Sequence, residues 1–195
     1  MAYHDITDIN LNYVQHRTLK RKLQHHQNQL FERYSKLLML RVDFSYKRDS
    51  DSRIEGDIHS TVADITLLLQ RCQDINGLVG YAWVLEHTEQ HGYHIHAAFY
   101  LNGQKRRRTW GVFEALRDTW KYVTWEEGYS YRCESKEHYK VRGEWVTAHD
   151  DIKGRKGMQY ILSYLSKQDQ KSQGVICQLS SIPAAHVSGR RRKTS

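Results

Sequence analysis

The chain has few of the residues that mark secreted, membrane-bound or linker-rich proteins. It contains three cysteines and one proline among 195 residues. An odd number of widely spaced cysteines argues against a disulfide framework and against a zinc ribbon. No apolar run reaches the length of a membrane span, and the N-terminus lacks the apolar core of a secretory signal. We therefore expect a cytosolic protein in a reducing compartment, with one compact domain.

Basic residues, by contrast, are abundant. The chain has 30 Lys and Arg against 22 Asp and Glu, a formal net charge of +8. This balance predicts a polyanionic partner, with nucleic acid as the first choice and an anionic membrane surface as the second.

Apolar spacing predicts a mixture of helices and strands. The predicted elements are one or two amphipathic helices over 8–35, a central strand over 37–44, a helix from a Ser60 cap to about 73, strands over 78–86 and 93–101, a helix over 109–122, an antiparallel pair over 128–147 and a helix over 157–167. This order fits an α+β domain with a ferredoxin-like antiparallel sheet and packed helices. The predicted divisions are an N-terminal helical extension over 1–35, the main domain over 36–170 and a polar, basic, mobile tail over 171–195.

The most informative segment contains His94 and His96 within a β-favouring run. Residues two apart in a strand point to the same face, so both imidazoles would project together. Two neutral imidazoles supply half of a divalent-metal site. The alternative is a pair of partly exposed histidines on an edge strand.

A third ligand is available from the preceding strand. Glu86 ends that strand, and a hairpin would bring it beside the start of the histidine strand. Two histidines and one carboxylate leave positions open for water and a substrate phosphate, and they suit Mn²⁺ or Mg²⁺, with Zn²⁺ or Co²⁺ also possible. Glu86 as an exposed strand-end carboxylate is the alternative, with His87 and His91 as other candidate ligands. Asp43, inside an apolar strand, is interpreted as structural or as a group behind a ligand.

The last predicted helix contains a candidate nucleophile. Tyr160 and Tyr164 are four residues apart and Lys167 follows three residues later, so the three share nearly one helix face. Tyrosine is a poor nucleophile until a cation lowers its pKa or a base removes its proton. The alternative is a tyrosine pair that anchors the helix on the core.

Together, these motifs resemble the HUH endonuclease superfamily, the metal-dependent tyrosine nucleases of rolling-circle replication initiators, relaxases and single-strand transposases. His94-Ile95-His96 matches its histidine-hydrophobic-histidine motif, and Tyr164-Leu165-Ser166-Lys167 matches the Tyr-x-x-Lys motif of the initiators. Glu86 occupies the place where many initiators have a third, acidic ligand. The ordered matches span roughly residues 37–170.

A closer similarity is to the replication proteins of filamentous phages and their prophage relatives of the YagK/YfjJ type. The shared features are Arg41-Val42-Asp43 in the first strand, Leu101-Asn102-Gly103 after the histidines, and Asp169-Gln170 after the Tyr-x-x-Lys motif.

The resemblance implies an HUH nuclease fold that nicks one DNA strand and rejoins it. It implies that Glu86, His94 and His96 hold a divalent metal, either Mg²⁺ or Mn²⁺. It also implies that Tyr164 attacks the phosphate and becomes linked to the 5′ end, while Lys167 supports the charge. Some members use two tyrosines at this spacing, so Tyr160 is either a second nucleophile or a packing residue.

The implied partners are single-stranded or hairpin DNA at an origin, with a host helicase and polymerase, because the chain shows no Walker-type loop. The resemblance also implies that the protein acts in the cytoplasm of a bacterial host and is encoded by a phage, prophage or plasmid. Two basic clusters are expected to flank the site and contact phosphates, namely Lys105, Arg106, Arg107 and Arg108, and Arg155 with Lys156. One or two of six aromatic residues are expected to stack on unpaired bases, namely Trp110, Trp120, Trp125, Tyr129, Tyr131 and Trp145. The alternatives are solvated surface loops for the charge runs and core packing for the aromatics.

Two other functions remain open at this level. A DNA-binding regulator with the same fold would bind without metal and would not cleave. A single-strand DNA transposase would use the same chemistry on the ends of a mobile element.

Overall fold

The computed structural model describes residues 14–134, 145–168 and 174–184. The helices are α1 (Arg17–Arg33), α2 (Asp51–Ile54), α3 (Ile58–Cys72), α4 (Trp110–Val123) and α5 (Ile152–Leu162), the last continued by a 3₁₀ turn over Ser163–Ser166. The strands are β1 (Lys36–Tyr46), β2 (Leu78–Thr88), β3 (Gly92–Asn102), β4 (Gly128–Arg132), β5 (Thr147–Ala148) and β6 (Ile176–Leu179). Within the described ranges, no helix is both long and apolar enough to cross a bilayer.

The strands form one antiparallel sheet in the order β4-β1-β3-β2-β6. β4 pairs with the C-terminal half of β1, whereas β5 pairs with the first two residues of β1. The α+β prediction with an antiparallel sheet and packed helices is therefore confirmed, as is the hairpin of β2 and β3.

The two faces of the sheet are covered by different helices. One face buries an apolar core that includes Phe44, Trp83 and Phe99 together with residues of α3 and α4. The opposite face packs Met39 and Tyr100 with residues of α1, α5 and the 3₁₀ turn. Side chains alternate along a strand, so the predicted ligands lie on this second face, beyond the end of its apolar core. We call it the site face.

The start of α3 differs from the prediction. Asp57, not Ser60, is the N-cap, and its carboxylate accepts a hydrogen bond from the Ser60 backbone N–H at 2.8 Å. The Ser60 hydroxyl in turn accepts from the Asp57 backbone N–H at 2.9 Å, which completes a capping box. The serine therefore stabilises the helix from its first turn rather than from the cap position.

Three predicted elements near the C-terminus are also corrected. The strands predicted to pair over 128–147 each pair with β1 instead, as far as the structure describes that range. The helix predicted over 157–167 begins at Ile152, and its last turn tightens into the 3₁₀ turn. The segment 174–184 of the supposed mobile tail contains β6, which hydrogen-bonds to β2, so the tail prediction is wrong there. Asp169 and Gln170 lie outside the described residues.

Candidate metal centre and active site

The three predicted metal ligands meet on the site face. Glu86 is the direct cross-strand partner of His94, and His96 follows two residues along β3. One oxygen of Glu86 lies 3.2 Å from Nε2 of His96 and 3.8 Å from Nε2 of His94. All three side chains are buried, and their ligand atoms lie within 4.8 Å of one another. This group could hold a metal ion.

Both imidazoles are oriented by hydrogen bonds on the far side of the ring. Nδ1 of His96 lies 2.7 Å from the Asp43 carboxylate, and Nδ1 of His94 lies 3.0 Å from the Gly92 carbonyl oxygen. Because both partners are acceptors, each ring donates a hydrogen bond from Nδ1, which leaves its Nε2 on the side of Glu86. Among the described residues, Nε2 of His96 makes no hydrogen bond despite its burial. A buried ring nitrogen without a hydrogen-bond partner fits a metal ligand.

Asp43 lies behind the candidate ligand His96 and hydrogen-bonds to its ring. Burial would raise the pKa of this carboxyl, but the guanidinium of Arg41, 2.8 Å away, and the hydrogen bond with His96 hold it well below its usual range. Burial lowers the pKa of His94. A neutral His94 and an ionised Asp43 are the forms that metal ligation requires.

Lys167 connects the candidate ligand to the candidate nucleophile. Its ammonium lies 3.1 Å from the Glu86 carboxylate and donates a hydrogen bond to the Tyr164 hydroxyl at 3.1 Å. Burial would lower the pKa of Lys167, but the charge of Glu86 and the contact with Tyr164 raise it overall. The lysine therefore stays charged beside the phenol.

Tyr164 lies over the metal-ligand cluster. Its ring meets the ring of His96 edge-on, with centroids 5.1 Å apart, and the Arg41 guanidinium lies 5.0 Å from the Tyr164 centroid. Tyr160 is half-buried one turn earlier on α5, and within the described residues its side chain makes no hydrogen bond or ring contact with these groups. Of the two predicted tyrosines, the structure brings only Tyr164 to the ligands.

A short backbone bridge fixes the 3₁₀ turn that bears Tyr164. Gln15 pairs with Lys167, and the flanking hydrogen bonds are 2.7 Å each, from His16 N–H to the Ser166 carbonyl and from Gln168 N–H to the Val14 carbonyl. The segment just before α1 thus positions Tyr164, the candidate nucleophile. Sequence reasoning missed this role, because no side-chain pattern marks a backbone bridge.

Arg41 was also missed as a site residue. It touches both Asp43, which holds the candidate ligand His96, and Tyr164, the candidate nucleophile. A signal was available, since Arg41 lies two residues before Asp43 and must share its face of β1.

The other histidines near the site do not join the ligand group. His87 points to the opposite face of the sheet, where its ring packs on Tyr93 at 4.5 Å. His91 lies in the β2–β3 turn, with its ring 6.0 Å from that of His94.

The predicted basic clusters lie away from the site. Lys105–Arg108 follow the far end of β3, where Asn102 lies eight residues beyond His94, or roughly 26 Å along a strand. Arg155 is near the same end, where it hydrogen-bonds to the His149 carbonyl and to Asn28 and stacks on Phe31, while its neighbour Lys156 is exposed. The prediction that both clusters flank the site is wrong. Their contact with phosphates stays a prediction.

Metal binding is directly testable by calorimetry with Mn²⁺ as the probe. His96→Ala should weaken Mn²⁺ binding by more than about 100-fold, because one of three ligands is lost. In the wild type, Mn²⁺ at about 100 times its Kd should add ~2.7 kcal/mol to the free energy of unfolding. His87→Ala is the matched control on the other face and should bind like the wild type. An equal loss in both variants would exclude this metal centre.

The geometry of the candidate metal centre is the main evidence for the function of this chain. Comparisons with protein-family models, with curated proteins and with solved structures find no match to this chain. Its function is therefore inferred from the buried Glu86-His94-His96 group and from the tyrosine and lysine that lie against it.

Proposed function

We propose that the chain is a metal-dependent endonuclease that nicks and rejoins one DNA strand through a 5′-phosphotyrosine intermediate, and that it initiates rolling-circle replication. One observation carries the proposal: a tyrosine hydroxyl and a buried ammonium contact each other at 3.1 Å beside a group that could hold a metal ion. The net charge of +8 suits a polyanionic substrate. The ordered motifs of replication initiators support the role at an origin.

In the proposed reaction, the Tyr164 oxygen attacks the phosphorus of a phosphodiester. A bond forms between that oxygen and phosphorus, and the bond from phosphorus to the 3′ oxygen breaks. The 5′ end of the strand is then linked to the protein, and the proton of Tyr164 ends, in net terms, on the freed 3′ hydroxyl. Attack by a 3′ hydroxyl on the phosphotyrosine reverses these steps and rejoins a strand, so no external energy source is needed.

The residues around Tyr164 have separate tasks. The Lys167 ammonium stabilises the phenolate as the proton leaves, because it already contacts the hydroxyl. Arg41 lies on the Tyr164 ring and holds Asp43, which fixes the orientation of His96. A divalent cation held by the two imidazoles and the carboxylate would supply a Lewis acid for the phosphate oxygens. Mixed nitrogen and oxygen donors suit Mn²⁺, and Mg²⁺ is the abundant cellular alternative.

The test is the formation of a covalent adduct. The protein is incubated with single-stranded and hairpin oligonucleotides in Mn²⁺ or Mg²⁺ and analysed by denaturing electrophoresis. We expect an adduct that forms only with metal and whose modified peptide, identified by mass spectrometry, contains Tyr164. Metal-independent DNA binding with no cleavage of any substrate would instead favour the regulator. A modified peptide outside 158–168 would contradict the proposed nucleophile.

A further inference from the structure

A cleft of about 660 Å³ opens at the end of the sheet that holds the metal ligands. Its walls are the segment after β1 and the turn between β2 and β3, and they include Lys47, Arg48, Arg53 and His91. His91 connects the cleft to the site, because its ring lies against that of the ligand His94 at 6.0 Å. The volume falls within the range of natural ligand pockets.

The charges in the cleft favour an anion. Lys47, Arg48 and Arg53 line it together with a single carboxylate, that of Glu89. Lys47 and Arg48 are exposed, while Arg53 is partly engaged by a hydrogen bond to the Gln90 carbonyl at 2.6 Å. This basic group lies at the site end of the sheet, unlike the two clusters that the sequence suggested.

Two exposed aromatic residues extend the site face beside this cleft. In the β1–β4 register, Tyr131 lies opposite Asp43 and Tyr129 lies opposite Ser45. Cross-strand partners share a face, so both tyrosines stand on the side of the sheet that bears His96. Tyr129 is 55% exposed and Tyr131 is 48% exposed, and Tyr129 also lines the cleft. Trp120, in contrast, is fully buried in the core.

We propose that this surface binds the unpaired nucleotides that flank the cleaved phosphate of a single-stranded DNA. Their bases stack on Tyr129 and Tyr131, and their phosphates contact Lys47 and Arg48. Aromatic rings beside basic side chains are the combination that proteins use to hold single strands. The inference rests on the proposed function, since it assigns the substrate surface of that same site.

The experiment measures oligonucleotide binding without cleavage. Fluorescence anisotropy in EDTA gives the Kd of a short mixed-sequence single strand and of the matching duplex. Tyr129→Ala should weaken single-strand binding by roughly 5- to 150-fold, because one stacked base is lost. Tyr129→Phe keeps the ring and should bind like the wild type. Lys47→Ala should lower the slope of log Kd against log salt by about 0.7.

The matched controls lie on the other face of the sheet. Tyr122 is an exposed aromatic residue on α4 that stacks with Arg71 of α3, so Tyr122→Ala and Arg71→Ala should leave the Kd unchanged. Single-strand binding by Tyr129→Ala equal to that of the wild type would overturn the inference, as would an equal loss in Tyr129→Phe.

Failure of the two proposals gives different results. If an adduct forms but the Kd for single-stranded DNA is the same in Tyr129→Ala as in the wild type, the proposed nuclease activity is supported and the proposed binding surface is rejected. If Tyr129→Ala weakens single-strand binding but no adduct forms on any strand in Mn²⁺ or Mg²⁺, the proposed binding surface is supported and the proposed nuclease activity is rejected.

Discussion

Tyr164→Phe is expected to slow adduct formation by at least about 10⁴-fold, because the variant lacks the oxygen that we propose as the attacking atom. The phenyl ring keeps the edge-on contact with His96 and the stacking of Arg41. Lys167 loses one acceptor but retains the Glu86 carboxylate at 3.1 Å. The fold and Mn²⁺ affinity should therefore be unchanged. Single-turnover kinetics with saturating protein measure the rate, and calorimetry measures the metal affinity.

Tyr160→Phe is the control for that measurement. It removes the same atom one helical turn away, and among the described residues the Tyr160 side chain makes no hydrogen bond or ring contact with the ligand group. We expect a wild-type rate of first cleavage. If Tyr160→Phe formed no adduct and Tyr164→Phe still did, the nucleophile would be Tyr160 and not Tyr164.

Lys167→Met is expected to lower the free energy of unfolding of the metal-free protein by about 3–5 kcal/mol. Both partners of the Glu86–Lys167 pair are at least 95% buried, since they are only 1% and 5% exposed. Removal of the ammonium leaves the carboxylate without its cation in a medium of low polarity. Urea unfolding in EDTA, monitored by far-ultraviolet circular dichroism, gives the change.

A second variant and a metal titration separate this effect from lost packing. Glu86→Gln combined with Lys167→Met removes both charges, so it should recover most of the stability. Mn²⁺ should stabilise Lys167→Met more than the wild type, because the metal has no ammonium to displace from Glu86. If the double variant were as unstable as Lys167→Met, methionine packing rather than charge would be the cause.

The β2–β3 hairpin and the candidate ligand group could be predicted from local pattern. His94 and His96 share a face because side chains in a strand alternate with a fixed period of two. The short turn between β2 and β3 fixes the register of the hairpin, which places Glu86 opposite His94. The tyrosine and lysine were found by their spacing, yet the expected continuous helix is wrong. The 3₁₀ turn over Ser163–Ser166 ends next to the backbone bridge between Gln15 and Lys167, a contact between residues 152 positions apart that local pattern does not reveal.

Charge runs gave the least reliable predictions of position. The basic run that starts at Lys105 follows the end of β3, whereas His94 and His96 lie near the start of that strand. Its distance from the site therefore depends on the length of β3, which the run itself does not indicate. β6 was missed for a related reason, because this strand of four residues depends on pairing with β2, more than 80 residues earlier. Neither the position of the basic run nor the pairing of β6 with β2 is marked by a local sequence pattern.

The ribosome synthesises the candidate metal ligands of this site well before Tyr164. His96 and Tyr164 are 68 residues apart, which corresponds to about 3–14 s of synthesis at ~5–20 residues per second. The bridge that fixes the 3₁₀ turn joins Gln15 to Lys167, so this contact forms only after residue 167 has left the ribosome. Strands β1 to β4 and the Glu86-His94-His96 group can thus form before Tyr164 has been synthesised, whereas β6, at one edge of the sheet, follows it. If the proposed function is correct, a partly synthesised chain would hold the metal-binding group without the attacking tyrosine.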